Sequence, residues 1–559
     1  MSSNQSSSVN GSVGEGHARQ DSLSFTVIPR TTRLFNDYLY DHNRVIQFYR
    51  SSEHSQLPLN QFAHKITAQS FERGMVADAL ERQNRRFGSS SLTFQYIDLL
   101  RDPDTVAVVT GQQAGLFAGP LFTIYKALTA IKLAENLRQQ GSKAVPIFWI
   151  ASEDHDYQEV NHCQVVNNEG QLIKIQYESC LPAGERSVGD IKLQAEIAER
   201  ITELFAILPK SEFVEQLEKD LRDAYQVGIG FAEAFARLLA RLFANYGVIL
   251  LDPQEPELKQ LAARVYEPVL RNCEQVAEQL VKQSHTLEEA GYHAQIHTSL
   301  DMVPLFVCEN NQRSAMTREG NCFILKTTSQ CRSLSDLLQL MEKDPAAFSP
   351  SVAIRPAVQD WLLPTLIYVA GPAETAYFAQ LRPVYQFLDR IPPSIVPRAS
   401  LTVIPERFAT LLEKYELKFE DLFAGSESVM RKVVEKSLDA NTAAVFEETE
   451  QIFNTQLDKL RNALSGVDAT LADALEGGRD KILYQVQNLR NRFVNNRTKR
   501  EDTVARQIER MFNLLYPTKN LQERELNVYY FLARYGYGFI DTLYQAIEPH
   551  TTTHKLLFV

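Results

Sequence analysis

Val106-Ala107-Val108-Val109 is an unbroken apolar run that ends at Gly111. Such a run predicts a strand covered on both faces, as in a parallel sheet flanked by helices. After the turn, Leu121, Ile124, Leu128 and Ile131 recur at spacings of three and four, which predicts a helix with one apolar face. A second run, Val145 to Ile150, completes a strand-helix-strand unit of right-handed crossover. Val248 to Leu251 and Leu366 to Val369 repeat the pattern, ending at Asp252-Pro253 and Gly371-Pro372. Tyr377, Leu381, Val384 and Leu388 then predict one helix with an apolar face. The chain therefore reads as an α/β protein whose sheet is assembled from distant segments.

Those strands divide the 559 residues. Residues 1–22 are polar and of low complexity and read as a disordered tail. Residues 23–405 form the core, interrupted by helix-rich insertions at about 170–245 and 257–350, the second with a strand at Leu305-Phe306-Val307. From 406 to 520 the seam Phe453, Leu457, Leu460, Leu464, Val467, Leu471 predicts a coiled coil. Gly477-Gly478 interrupts it, and it resumes at Ile482, Val486, Leu489, Phe493 and at Val504, Ile508, Met511, Leu515, as a long rod or a hairpin. So long a seam predicts a homodimer. The aromatic-rich segment 521–559 is expected to pack back on a folded domain.

Composition limits the function. No apolar run approaches the ~18 residues of a membrane span, and residues 1–20 lack the apolar segment of a secretion signal. The six cysteines include no close pair and are read as reduced, mostly buried thiols of a cytoplasmic protein. A net charge of −11 disfavours a nucleic-acid partner.

Three constellations carry the chemistry. In Thr110 to Pro120, three glycines permit a sharp turn and close approach to a ligand, and the helix start after them could face a phosphate or carboxylate. It is neither a Walker loop nor GxGxxG. Glu153-Asp154-His155-Asp156-Tyr157-Gln158-Glu159-Val160-Asn161-His162 follows the second strand. Carboxylates crowded beside histidine can supply a general base, and their spacing fits no zinc pattern, so no metal is expected. The third runs from Ser349-Pro350 through Arg355 to Gly371-Pro372-Ala373-Glu374, with Arg398 beyond it. Arg355 and Arg398 could each hold a carboxylate through two parallel hydrogen bonds. The candidate catalytic residues are Asp154, His155 and Asp156. The candidate substrate- or nucleotide-binding residues are Gly111, Gln112, Gln113, Gly115, Gly119, Lys126, His162, Arg355, Gly371, Glu374 and Arg398. Open α/β sheets bind ligands beyond the carboxyl ends of their strands, which puts all three constellations in one crevice.

The strings TGQQAGLFAGPLFTIYKALTAIKLA (110–134), VPIFWIASEDHDYQEVNH (145–162), SVAIRPAVQDWLLPTLIYVAGPAETAYFAQL (351–381) and LQER (521–524) resemble the cysteine-adding ligases of bacillithiol biosynthesis from about Phe25 onward. The resemblance implies a Rossmann-like core related to class I aminoacyl-tRNA synthetases and nucleotidylyltransferases, with insertions and a coiled coil that pairs two subunits. It also implies a reaction joining cysteine to the amine of glucosaminyl-malate, the last step of bacillithiol synthesis. Amide formation needs an activated carboxyl, and the fold relationship points to ATP, although the HIGH and KMSKS motifs of class I synthetases are absent. The alternatives are a synthetase-like enzyme acting on another acceptor, RNA included, with Arg490, Arg492, Arg497, Lys499 and Arg500 as its basic patch, and a non-catalytic coiled-coil protein that binds a ligand.

Overall fold

A computed structural model describes residues 20–49, 58–178, 186–309, 312–436, 440–465, 469–498 and 502–559. Its centre is a five-stranded, fully parallel sheet. The strands are β2 (Val106–Gln112), β3 (Ala144–Ile150), β6 (Ile249–Leu251), β12 (Thr365–Ala370) and β13 (Ser394–Pro397), in the order β13-β12-β2-β3-β6. The chain moves outward from β2 to β3 and β6, then restarts on the other side with β12 and β13. The order thus reverses between β2 and β12, where open sheets place their ligands. Both faces are covered as the apolar runs require. Val106 and Val108 pack with Ala130 and Ala134 of the Leu121–Gln139 helix, while Ala107 and Val109 belong to the core on the opposite face.

The residues before β6 contribute the hairpin of β4 (His162–Val166) and β5 (Leu172–Gln176) and three helices. Between β6 and β12, two long helices precede an antiparallel sheet of five strands: β7 (Met302–Glu309), β8 (Gln312–Glu319), β9 (Cys322–Leu325), β10 (Cys331–Arg332) and β11 (Phe348–Pro350). This insertion thus holds a five-stranded sheet beside its helices, where a helix-rich segment with one short strand was expected. Cys322 and Cys331 are joined across the β9–β10 hairpin, so two of the six thiols are not free. The register sets Cys331 opposite Ile324 and therefore diagonal to Cys322 on one sheet face, a proximity that sequence spacing does not reveal. Cys163, Cys273 and Cys308 are free, and Cys180 lies outside the described residues.

Three other expectations change. The helix expected from Tyr377 to Leu388 is two, Pro372–Phe378 and Arg382–Phe387, because Pro383 cannot donate within a continuing helix and instead begins the second. Gly477-Gly478 lies within the Ala469–Thr498 helix and does not break it; each glycine costs only about 1 kcal/mol relative to alanine. That helix packs antiparallel against Ala440–Ser465, with Arg461 3.3 Å from Glu476 and Arg479 paired with Asp458, so the coiled coil is a hairpin. Val467 lies outside the described residues. Of the expected tail, residues 1–19 also lie outside them, whereas Gln20 to Asp21-Ser22 begin a strand, β1 (Gln20–Ser24).

The segment 521–559 does pack back. β15 (Thr553–Phe558) runs between β1, antiparallel, and β14 (Leu401–Ile404), parallel. On β15, His554 is buried and lies between Ser400 Oγ at 2.7 Å and Thr402 Oγ1 at 2.9 Å. Ser400 donates its own proton to Glu523, so His554 Nδ1–H donates to Ser400 and Nε2 accepts from Thr402. This neutral form is favoured by burial, which pulls the imidazole down to about 4. The unfolded chain binds a proton at this residue below about pH 6.5 and the folded chain does not until about pH 4. The stability contributed is therefore full above pH 6.5 and lost as the pH falls toward 4, by up to about 3 kcal/mol. His554→Gln is expected to flatten this acid loss relative to wild type in urea titrations at pH 7.5 and 4.5. Equal losses in the two proteins would remove His554 as its source.

Candidate active site

A cavity of about 740 Å³ opens beyond the carboxyl ends of β2, β3 and β12, at the point where the strand order reverses. It is lined by ten of the sequence candidates: Gly111, Gln112, Gln113, Lys126, Asp154, His155, Arg355, Gly371, Glu374 and Arg398. Gly115, Gly119 and His162 line an adjoining cavity of about 450 Å³, which shares Gln112, Gln113, Phe122, Glu159 and Arg524 with the first. Asp156 lines neither. It precedes the short Tyr157–Val160 helix and is exposed to solvent.

The β12 side is cationic and tightly organised. Lys126, buried in the first turns of its helix, donates to Gly111 O at 2.7 Å and Gln112 Oε1 at 3.0 Å and pairs with Glu374. All three ammonium protons are thus engaged, and Lys126 ties the end of β2 to the helix after β12. Burial disfavours the Glu374 charge, but Lys126, the Gly371 amide at 2.7 Å and the Tyr368 hydroxyl at 2.8 Å outweigh it and hold the carboxyl below its usual range. Burial also lowers Lys126. Arg355 donates to Gln359 at 3.2 Å and Tyr377 at 3.3 Å and lies over Trp149. Arg398 pairs with Glu523 at 2.7 Å, the two side chains 4% and 1% exposed.

The β3 side carries the carboxylates. Gln113 Nε2 donates to Asp154 Oδ2 at 2.6 Å and Glu159 Oε2 at 3.1 Å. The turn behind them is anchored by the Glu153–Lys259 pair, by Ser152 donating to Asp252 at 2.5 Å, and by the Val188 and Gly189 amides. His155 Nδ1 lies 2.8 Å from Arg313 Nη1. A guanidinium only donates, so Nδ1 accepts and the proton sits on Nε2, which is left as a donor. That leaves Asp154 and Glu159 as the proton acceptors on this side.

The glycine-rich turn serves packing more than anion binding. A Cβ on Gly111 would lie 2.9 Å from Trp149 O, and one on Gly115 2.7 Å from the Gly119 Cα. Pro120 is the cap and not the first helical residue, and the Leu121 amide donates to Leu526 O at 2.9 Å. Asn527 donates to Phe117 O at 2.9 Å and Gly119 O at 2.8 Å. The C-terminal segment therefore occupies the helix start at which an anion was expected.

Sequence reasoning missed Phe306 and Arg313, supplied by β7 and β8 of the insertion, and Arg524 from the C-terminal segment. Arg313 also stacks on Phe306, 3.6 Å from the ring centre. Nothing local in the sequence marks these residues, apart from the LQER string that contains Arg524.

A parallel sheet with an order reversal, a cavity with charged side chains at that reversal and a C-terminal helical hairpin define a Rossmann-like protein carrying a coiled coil. The chain belongs to the BshC family of bacillithiol biosynthesis: its N-terminal Rossmann-like domain matches residues 22–399 and its C-terminal coiled-coil domain residues 401–559. Relatives named "Putative cysteine ligase BshC" include those of Koribacter versatilis, 36% identical with 94% of this chain and 97% of the relative covered, and Salinibacter ruber, 34% identical with 94% and 96% covered. The Solibacter usitatus relative of the same name is 33% identical, with 95% and 98% covered.

Proposed function

We propose that this chain is a cysteine ligase that joins the carboxyl of L-cysteine to the amine of glucosaminyl-malate. The observation that carries this reading is the division of the cavity into a cationic side and a carboxylate side. Arg355 and Arg398, already held in place, suit the malate carboxylates of the acceptor. Asp154 or Glu159 then takes the proton released as the amine nitrogen attacks the activated cysteinyl carbonyl. The new C–N bond forms as the bond to the activating group breaks, and His155 Nε2–H is a donor available to the oxygen that gains charge.

ATP is the activator that the resemblance implies. In the Gly111–Pro120 turn and the helix start after it, the Leu121 amide and the Phe117 and Gly119 carbonyls are already paired with Leu526 and Asn527, and no step is assigned to ATP. Incubating the protein with cysteine and glucosaminyl-malate, with and without ATP, tests the reading. Product containing cysteine in amide linkage is expected, and AMP or ADP release identifies the activation. Absence of product under all these conditions would overturn the assignment.

The coiled coil supports a homodimer. Phe453, Leu460 and Leu489 of the hairpin are 39%, 47% and 60% exposed, and Val445, Phe446, Ile482 and Val486 line an apolar groove beside them. A two-helix hairpin leaves uncovered the apolar face that a second hairpin would bury. Among the described residues, no helix is long and apolar enough to cross a membrane. Leu460→Asp with Leu489→Asp is expected to weaken self-association by roughly tenfold or more per residue, read by sedimentation equilibrium. An unchanged association constant would place the dimer elsewhere.

A further inference from the structure

Arg524 stands where three cavities meet: the 740 Å³ cavity, its 450 Å³ neighbour, and a third of about 240 Å³. Every other cation of the main cavity has an acceptor, namely Glu374 for Lys126, Gln359 and Tyr377 for Arg355, Glu523 for Arg398, and Ser349 for Arg313. The Arg524 guanidinium has none among the described residues. Its flanking carboxylates are committed: Glu523 to Arg398, Ser400 and the Leu401 amide, and Glu525 to Gln164 and Asn520, both at 2.6 Å.

The backbone that carries Arg524 is fixed. Gln522 is buried and exchanges hydrogen bonds with both the amide and the carbonyl of Val403, at 2.8 and 2.9 Å, while the Leu526 carbonyl caps the helix after the glycine turn. An exposed guanidinium on a fixed backbone, with neither a hydrogen-bond nor an ion-pair partner among the described residues and with a second guanidinium nearby, favours an anion with two oxygens in a plane. Burial and the neighbouring Arg398 outweigh Glu523 and Glu525 and press Arg524 below its usual range.

We propose that Arg524, supplied by the C-terminal domain, is a substrate-binding residue that takes a carboxylate of the acceptor at this junction. The proposal rests on the reading of the cavity as the site for an anionic acceptor, and it makes the site composite between the two domains. It follows that the Rossmann-like domain alone does not recognise the acceptor fully.

The test compares wild type, Arg524→Gln and Arg524→Lys in two measurements on the full chain. In steady-state assays, Arg524→Gln is expected to raise KM for the acceptor about ten- to a hundredfold, the size expected for a lost charge-assisted pair, with KM for cysteine unchanged and partial recovery in Arg524→Lys. In thermal unfolding, L-malate alone is expected to protect wild type and to lose that protection in Arg524→Gln, whereas inorganic phosphate should protect both equally. The proposal is overturned if the acceptor KM and malate protection are retained in Arg524→Gln, or if the loss falls on the ATP or cysteine dependence instead. Should wild type form no product, the ligase reading fails, while malate protection still decides the role of Arg524.

Discussion

Asp154→Asn is expected to lower kcat by about 10² to 10⁴, the usual contribution of a general base, without moving the thermal midpoint. The side chain is one-third exposed, and its acceptor role toward Gln113 survives in asparagine, so the fold loses little. What disappears, on the mechanism proposed above, is the basic oxygen assigned to take a proton from the attacking amine. His155→Ala should cost less, because Nδ1 already receives a proton from Arg313 and cannot act as the base. Initial rates with saturating cysteine and acceptor measure the effect. If Asp154→Asn stays within threefold of wild type, the base is Glu159, the other carboxylate on Gln113.

Glu523→Ala should be the most destabilising single change in the site. It strands the Arg398 guanidinium and removes the acceptors of Ser400 Oγ and of the Leu401 amide, all in the protein interior. Removing one partner of a buried ion pair costs about 3–5 kcal/mol. The urea midpoint is expected to fall accordingly, and activity with it, because Arg398 lines the cavity. Glu523→Gln retains an acceptor for Leu401 and should lie between the two. A midpoint unchanged in Glu523→Ala would mean that water replaces the carboxylate at low cost.

The strands of the central sheet were legible because a strand buried on both faces has to be largely apolar, and the runs at 106–109, 144–150, 249–251 and 366–370 are. The crevice was legible for the same reason, since it lies where those strands end. Roles inside it were less so. The glycines at 111 and 115 read as a ligand cradle, but close contacts with Trp149 and Gly119 require them equally. Lys126 read as a ligand group and instead spends its protons on Gly111, Gln112 and Glu374. Arg313 and Phe306 sit on strands whose alternating pattern records only which face is covered, not that the covering element is a catalytic crevice. The Gly477-Gly478 pair misled because helix propensity is a small effect beside the packing of a helix on its neighbour.

The placement of β15 between β1 and β14 has a consequence for synthesis. Gln20 pairs with Leu557, so strands at opposite ends of the sequence must meet before this sheet closes. Closing so long a loop adds little to the equilibrium cost, which grows only logarithmically, but it delays folding because non-local contacts are made late. On the ribosome the parallel sheet can assemble while the chain is still growing. Ser400 lacks its histidine, Arg398 its glutamate and the glycine turn its asparagine until residues 523 to 554 emerge. A nascent chain therefore carries an unfinished crevice until the C-terminal domain has been translated.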